Sequence, residues 1–204
     1  MIKIPATAND FTPDWLNRAL APHLDGTHVT DCAAHLSDIP GQTAEIVMLD
    51  VSYATHTELP SRLVAKITSL NQDILDNLIA HYDQYYREVS FYREIKDVGI
   101  SVPRCLYLDH DPETQAFVLL MQDLAPAESP SWAISTEQVC VALQALPAFH
   151  ARWWNKPELR TRDWMVQFDN REFFAASTSA AASARNTLQQ HYGPDASVSI
   201  ELMA

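Results

Sequence analysis

Two residues of opposite charge stand in apolar company, where neither charge is tolerated without a partner. Lys66 sits inside Leu63-Val64-Ala65-Lys66-Ile67, a buried-strand pattern, and Glu88 sits inside Arg87-Glu88-Val89-Ser90-Phe91-Tyr92-Arg93-Glu94, a segment with helical periodicity. On a helix, the residues three and four positions from Glu88 include Tyr85, Phe91 and Tyr92, so its carboxylate emerges from an apolar face. A carboxylate or an ammonium in such surroundings is costly unless paired. Glu94 is the rival partner for Lys66, but its neighbours Arg87, Ser90 and Asp97 put it on a solvated face. The expected pair is therefore Lys66 with Glu88. A lysine held in this way is aimed and kept charged, which suits it to meet phosphate oxygens.

Two further segments acquire meaning beside that pair. Gly41 lies in the turn-rich connector 37–44, Ser-Asp-Ile-Pro-Gly-Gln-Thr-Ala. One glycine falls short of G-x-G-x-x-G, and alone it reads as a hairpin turn. Next to Lys66 and Glu88, the backbone N–H groups of Gln42, Thr43 and Ala44 can face phosphates. Phe117-Val118-Leu119-Leu120-Met121 runs into Gln122-Asp123-Leu124, which alone reads as a buried strand with a polar exit. His150, beside Phe149, Trp153 and Trp154, is read as a buried structural histidine between Leu146, Phe149 and Trp153. Asp169-Asn170 is not a catalytic loop, because Gln167 stands where a histidine belongs. The 204 residues contain no His-x-Asp-x-x-x-x-Asn loop and no Asp-Phe-Gly-like element.

The elements that must position these groups follow from the hydrophobic periodicity. Thr12-Pro13-Asp14-Trp15 opens a short helix, threonine capping and proline fitting the first turn, with Trp15, Leu16, Ala19 and Leu20 as its apolar stripe. Strands are expected over 29–36, 45–53 and 61–68. From 73 to 98 the period becomes helical, with Leu75, Leu78, Ile79, Tyr82, Tyr85, Val89 and Tyr92 at spacings of three and four and Gly99 as the stop. Two more strands, 104–109 and 116–121, flank the turn His110-Asp111-Pro112-Glu113-Thr114. The stretch 125–130 is loop-like and marks a boundary between a first domain, 1–124, and a second, 125–204. Ser135 and Gln138 form a capping box for a helix reaching Trp153-Trp154, with Pro147 expected to kink it. A last Ala/Ser-rich helix is expected over about 171–191. The class is α+β, a five-stranded antiparallel sheet plus one long helix, followed by further helices.

Composition narrows the function classes. Fourteen basic residues against 26 acidic ones give a net charge of −12, a poor match to nucleic acid, and the acidity reads as a solvated surface. Cys32, Cys105 and Cys140 are scattered and odd in number, so no zinc or disulfide spacing is present and reduced thiols are expected. No apolar run approaches the ~18 residues that span a bilayer. Met1-Ile2-Lys3-Ile4-Pro5 leads into polar residues and not into a signal-peptide core, so a cytoplasmic chain without a membrane or nucleic-acid partner is expected.

Five segments in order carry a resemblance. Leu59-Pro60-Ser61-Arg62-Leu63-Val64-Ala65-Lys66, Tyr86 through Glu94, Val102-Pro103-Arg104-Cys105, 117–124 and Phe149-His150-Ala151-Arg152-Trp153-Trp154 resemble the aminoglycoside phosphotransferase / choline kinase superfamily, specifically its ecdysteroid-kinase-like branch. The likeness covers roughly residues 29–164. It implies a protein-kinase-like amino-terminal lobe over 1–124 and the first helices of an incomplete helical lobe over 125–204. It implies that Lys66 orients the ATP phosphates, that Glu88 holds Lys66, that Gly41, Gln42 and Thr43 cover the phosphates, and that the backbone of Gln122, Asp123 and Leu124 takes adenine by one acceptor and one donor. The family has glutamate where Gln122 stands, and Pro147 departs from its helix formers. The family's catalytic aspartate and magnesium ligands have no counterpart here, so the chain is expected to begin such an enzyme and stop before its catalytic loop. No metal ligand is assigned, magnesium belonging to the full-length family. The implied function is the ATP-binding half of a small-molecule hydroxyl phosphotransferase, inactive alone. The alternative is a pseudokinase-like nucleotide-binding or interaction module without transfer chemistry. A helix carrying Phe149, Trp153 and Trp154 without its usual cover predicts a poorly anchored carboxy-terminal third and self-association.

Overall fold

The computed structural model describes residues 2–39, 41–76, 82–127, 134–165 and 190. Five strands form one antiparallel sheet: β1 (Val29–Leu36), β2 (Ala44–Tyr53), β3 (Arg62–Thr68), β4 (Cys105–His110) and β5 (Phe117–Gln122). Their order across the sheet is β1-β2-β3-β5-β4, so the third strand lies at the centre and the fifth is inserted beside it. With its helices this is an α+β fold, as the sequence predicts. The strand limits differ from the expected ones by one residue at most ends.

Directly opposed residues of antiparallel strands share a face, and the register sorts the sheet cleanly. Ala65 stands between Val47 and Leu120, and Leu63 opposite Leu49. These side chains are fully or almost fully buried, in a cluster with Trp15, Leu16 and Ala19 of α1 (Pro13–Ala19) and with Leu20, which ends that helix. Thr12 caps that helix by accepting the Trp15 amide at 3.2 Å, and Trp15 Nε1 donates to the Lys3 carbonyl at 2.8 Å. The apolar stripe of α1 thus closes one face of the sheet.

The other face is served by α3 (Gln84–Glu94), preceded by the short α2 (Gln72–Ile74). Here the structure corrects the expectation of one helix from 73 to 98. Asp83 adopts a left-handed conformation, φ 48° and ψ 40°, immediately before α3, and the helix stops at Glu94. Aspartate tolerates that conformation better than most residues, so periodic apolar spacing continues across a real break. Gly99 is therefore not the end of the helix. It has φ +84° in the segment beyond it.

Tyr85 stacks on Phe117 with ring centroids 3.8 Å apart and planes 14° from parallel, anchoring the first turn of α3 to β5. Val89, Leu119, Met121 and Ala44 complete this second cluster. The helix α4 (Thr136–Trp153) starts with the expected capping box: Ser135 Oγ accepts the Gln138 amide at 3.2 Å and Gln138 Oε1 accepts the Ser135 amide at 2.9 Å. Pro147 lies within it and has no N–H to donate. No residue of α4 is buried, and Trp154 just beyond it is 69% exposed. His150 is likewise exposed, which corrects its reading as buried: Leu146 on its own face is open to solvent, while Trp153 turns away to the segment after α3.

The chain forms two compact units, Met1–Lys156 and Pro157–Ala204. In the second, five residues, Pro157–Thr161, form a 3-10 helix, and Trp164 is buried with the Arg162 guanidinium 5.8 Å from its ring centre. The expected helix over 171–191, the Asp169-Asn170 pair and most of the carboxy-terminal third lie outside the described residues. Among the described residues, no helix is long and apolar enough to cross a membrane.

Candidate functional site

β3 alternates between fully buried residues and half-buried ones. Leu63, Ala65 and Ile67 point into the closed core, so Val64, Lys66 and Thr68 point to the face served by α3. The register puts Lys66 between Ile46 of β2 and Leu119 of β5. The charge on this strand has one place to go, and α3 supplies the acceptor. Lys66 Nζ lies 2.5 and 2.7 Å from the two carboxylate oxygens of Glu88. The pair expected from the apolar flanks is formed, while Glu94 is exposed near the end of α3.

The pair is neither solvated nor sealed, with 24% and 32% of the two side chains exposed. Charge-assisted bonds in such a setting contribute roughly 1.5–3 kcal/mol each. Around it two phenols and a thiol hold their protons. Burial pushes the Tyr85 and Tyr92 phenols above their usual range, with the Glu88 charge adding to both, and burial pushes the Cys105 thiol up to about 11. The two phenols and the thiol thus stay protonated beside the pair.

Ile46 and Met48 of β2 and Val64 of β3, all half-buried and apolar, flank Lys66 on the same face. Met48, Val64 and Met121 stand abreast across three strands. Sequence alternation assigns them to a face but does not say that α3 leaves them partly uncovered, since that depends on where the helix lies over the sheet.

Gly41 belongs to the same face. A Cβ there would collide with the Ala44 carbonyl oxygen and stand 3.2 Å from Cγ1 of Ile46, the residue opposite Lys66. The loop folds back so closely that only glycine fits. Beside it, the Thr43 carbonyl accepts the Tyr85 hydroxyl at 2.6 Å, and that hydroxyl accepts the Ser69 amide at 3.0 Å. One phenol therefore ties the connector, the end of β3 and α3 together. Sequence reading treats Tyr85 only as apolar lining. Its partners are 42 and 16 residues away, and no local spacing points to them.

Gln122, Asp123 and Leu124 sit at the opposite end of β3. Gln122 opposes Leu63, whereas Ala44 opposes Thr68. At ~3.3 Å per residue the two ends of the strand are ~17 Å apart, with Lys66 between them. Most of this exit is already engaged in the fold. The Gln122 amide donates to the Arg104 carbonyl at 2.9 Å, and the Asp123 amide to the Arg62 carbonyl at 3.4 Å. The Asp123 carboxylate meets Arg62 Nη2 at 2.8 Å and accepts the Ala125 amide at 2.9 Å. The Leu124 carbonyl accepts from Ala127, and the Leu124 amide donates to no acceptor among the described residues.

Among the described residues, clefts also lie elsewhere. One of about 320 Å³ is lined by His23, His56, Glu58 and Arg104, and one of about 570 Å³ by Ile2, Ile4, His110 and Pro112. Neither includes Lys66 or Glu88. Among the described residues, no group of three or more His, Cys, Asp and Glu side chains could hold a metal ion.

No family model matches the chain, and no curated protein matches its sequence.

Proposed function

We propose that the chain is the ATP-binding part of a phosphotransferase that acts on the hydroxyl of a small molecule, with a protein-kinase-like amino-terminal lobe. The observation that carries this reading is the Lys66–Glu88 pair on the half-open face of the central strand. In this reading Lys66 meets the α- and β-phosphates and Glu88 keeps it aimed. Adenine lies against Met48 and Val64 and takes the Leu124 amide as its donor. The phosphates run from there toward Gly41, Gln42 and Thr43. The ~17 Å between the two ends of β3 suits an extended nucleotide.

The chain is proposed to bind ATP without transferring its terminal phosphoryl group alone. Transfer needs an aspartate to accept the hydroxyl proton and carboxylate or amide ligands for magnesium, and the sequence holds no His-x-Asp-x-x-x-x-Asn or Asp-Phe-Gly-like element. Titration calorimetry of the purified chain with ATP tests the reading. Binding that weakens at least ~10-fold in Lys66→Met, roughly 1.4 kcal/mol, supports it. Absence of binding, or equal affinity in Lys66→Met, removes it. Phosphoryl transfer to an alcohol by the wild-type chain, lost in Lys66→Met, would keep the binding site and overturn the claim of inactivity.

A further inference from the structure

Helix α3 is fastened to the sheet over its first half, by Tyr85 and Val89, but Glu88 stands on a rod whose far end must also be held. That far end continues into Asp97, Val98 and Gly99, and there α4 grips it. The Trp153 indole donates to the Val98 carbonyl at 2.7 Å. Arg152 Nη2 lies 2.9 Å from Asp97 Oδ2, and the same guanidinium lies 5.8 Å over the Trp153 ring. The other oxygen of Asp97 accepts the Gly99 amide at 3.1 Å. Gly99 completes the contact from its side: a Cβ there would stand 3.2 Å from Cβ of Arg152 and 3.5 Å from the Ala148 carbonyl, at a φ that side chains avoid.

We propose that this clasp, with Trp153 as its main member, is a positioning device for the Lys66–Glu88 pair. The physical case rests on where the bonds fall. The clasp is the contact through which α4, otherwise exposed, touches the segment leaving α3. Ile95 and Val98 are buried between the two points, so movement of the clasped segment passes into α3 and is not absorbed by a loose linker. From Glu94 back to Glu88 is six residues of continuous helix, ~9 Å, which transmits a tilt with little bending. With the clasp open, α3 is held to the sheet by Tyr85 and Val89 alone, and its far half is free to shift Glu88 against Lys66. Closed, it fixes two points on the rod and thereby the carboxylate between them. Arg152 and Asp97 are both well exposed, so their ion pair orients the guanidinium over the indole more than it adds strength.

The consequence for ATP rests on the function proposed above, but the positioning itself is tested without nucleotide. The test is the rate of Lys66 acylation by an N-hydroxysuccinimide ester, read residue by residue by mass spectrometry against the exposed Lys3 and Lys96. Glu88→Gln sets the rate of an unheld lysine. Trp153→Phe keeps the ring and removes only the donor to Val98. The expected result is a several-fold faster acylation of Lys66 in Trp153→Phe, toward the Glu88→Gln rate. Lys3, Lys96 and the slow alkylation of Cys32 on the other face of the sheet should stay unchanged, which excludes general loosening. Gly99→Ala is expected to act in the same direction. Unchanged Lys66 acylation in both clasp variants overturns the proposal, as does a rise shared equally by Lys66 and Cys32. ATP affinity forms a separate arm. If the chain binds no ATP while Trp153→Phe still frees Lys66, the function proposed above fails and the clasp stands.

Discussion

The two faces of the central sheet are built from the same strands yet closed to different degrees. On one, Leu63, Ala65 and Ile67 are 0% exposed beneath α1. On the other, Val64 and Lys66 of the same strand are half-buried, because α3 covers β5 and β4 and leaves the β2 side open. The closed face favours apolar groups, since a polar atom there without a hydrogen-bond partner would lose its water without replacement. The half-open face holds a charge because a counter-charge reaches it from one side while solvent reaches it from the other. Core packing and the paired charge are thereby divided between alternate residues of one strand.

The largest expected effect tests that division. Leu63→Ala should cost about 2–5 kcal/mol, because it leaves a cavity in the closed core, whereas Val64→Ala should cost under ~1 kcal/mol and weaken ATP binding instead. Urea denaturation with a calorimetric titration of the second variant would decide; equal losses of stability at the two positions would erase the distinction. Next in size is Tyr85→Phe. It removes the acceptor of the buried Ser69 amide and the donor to Thr43, at a cost of about 1–3 kcal/mol. The same variant should loosen the Gly41 connector, seen as faster amide exchange at residues 41–43 than in the wild type.

A smaller effect concerns thiols. Burial holds Cys32 and Cys105 at about 11, one on each face, while Cys140 is exposed on α4. At pH 8 iodoacetamide should modify Cys140 first and the other two slowly, at rates set by opening of the sheet. The smallest is a pH effect. Burial lowers the His110 pKa from 6.5, so the unfolded chain takes up the proton first as pH falls. Stability should be full above about pH 6.5 and decline below it until the folded-state pKa is passed, a slope that His110→Gln should flatten.

How much of this was legible in the sequence depends on the range of the interaction. The strands and the capping box at Ser135 and Gln138 follow from local period and chemistry, and they fall within a residue or so of expectation. The Lys66–Glu88 contact was readable despite its separation, because two charges in apolar patterns each demand a partner. The break at Asp83 was not, since apolar spacing carries straight across a residue that only the folded chain forces into a left-handed turn. The role of Tyr85 and the exposure of His150 were hidden for the same reason. Both depend on how α3 and α4 settle against distant segments, and a helical wheel does not encode that. The polar exit of β5 was legible as a segment, but not that the amides of Gln122 and Asp123 are already engaged within the fold.

The central claim is that the half-open face around Lys66 binds ATP. The most direct measurement is the amide ¹H–¹⁵N spectrum of the labelled chain as ATP is added. The account predicts the largest shifts at Leu124, at Gln42–Ala44 and at Val64–Lys66, together with their loss in Lys66→Met. Shifts confined to the cleft of His56, Glu58 and Arg104, or a pattern unchanged in Lys66→Met, would contradict it.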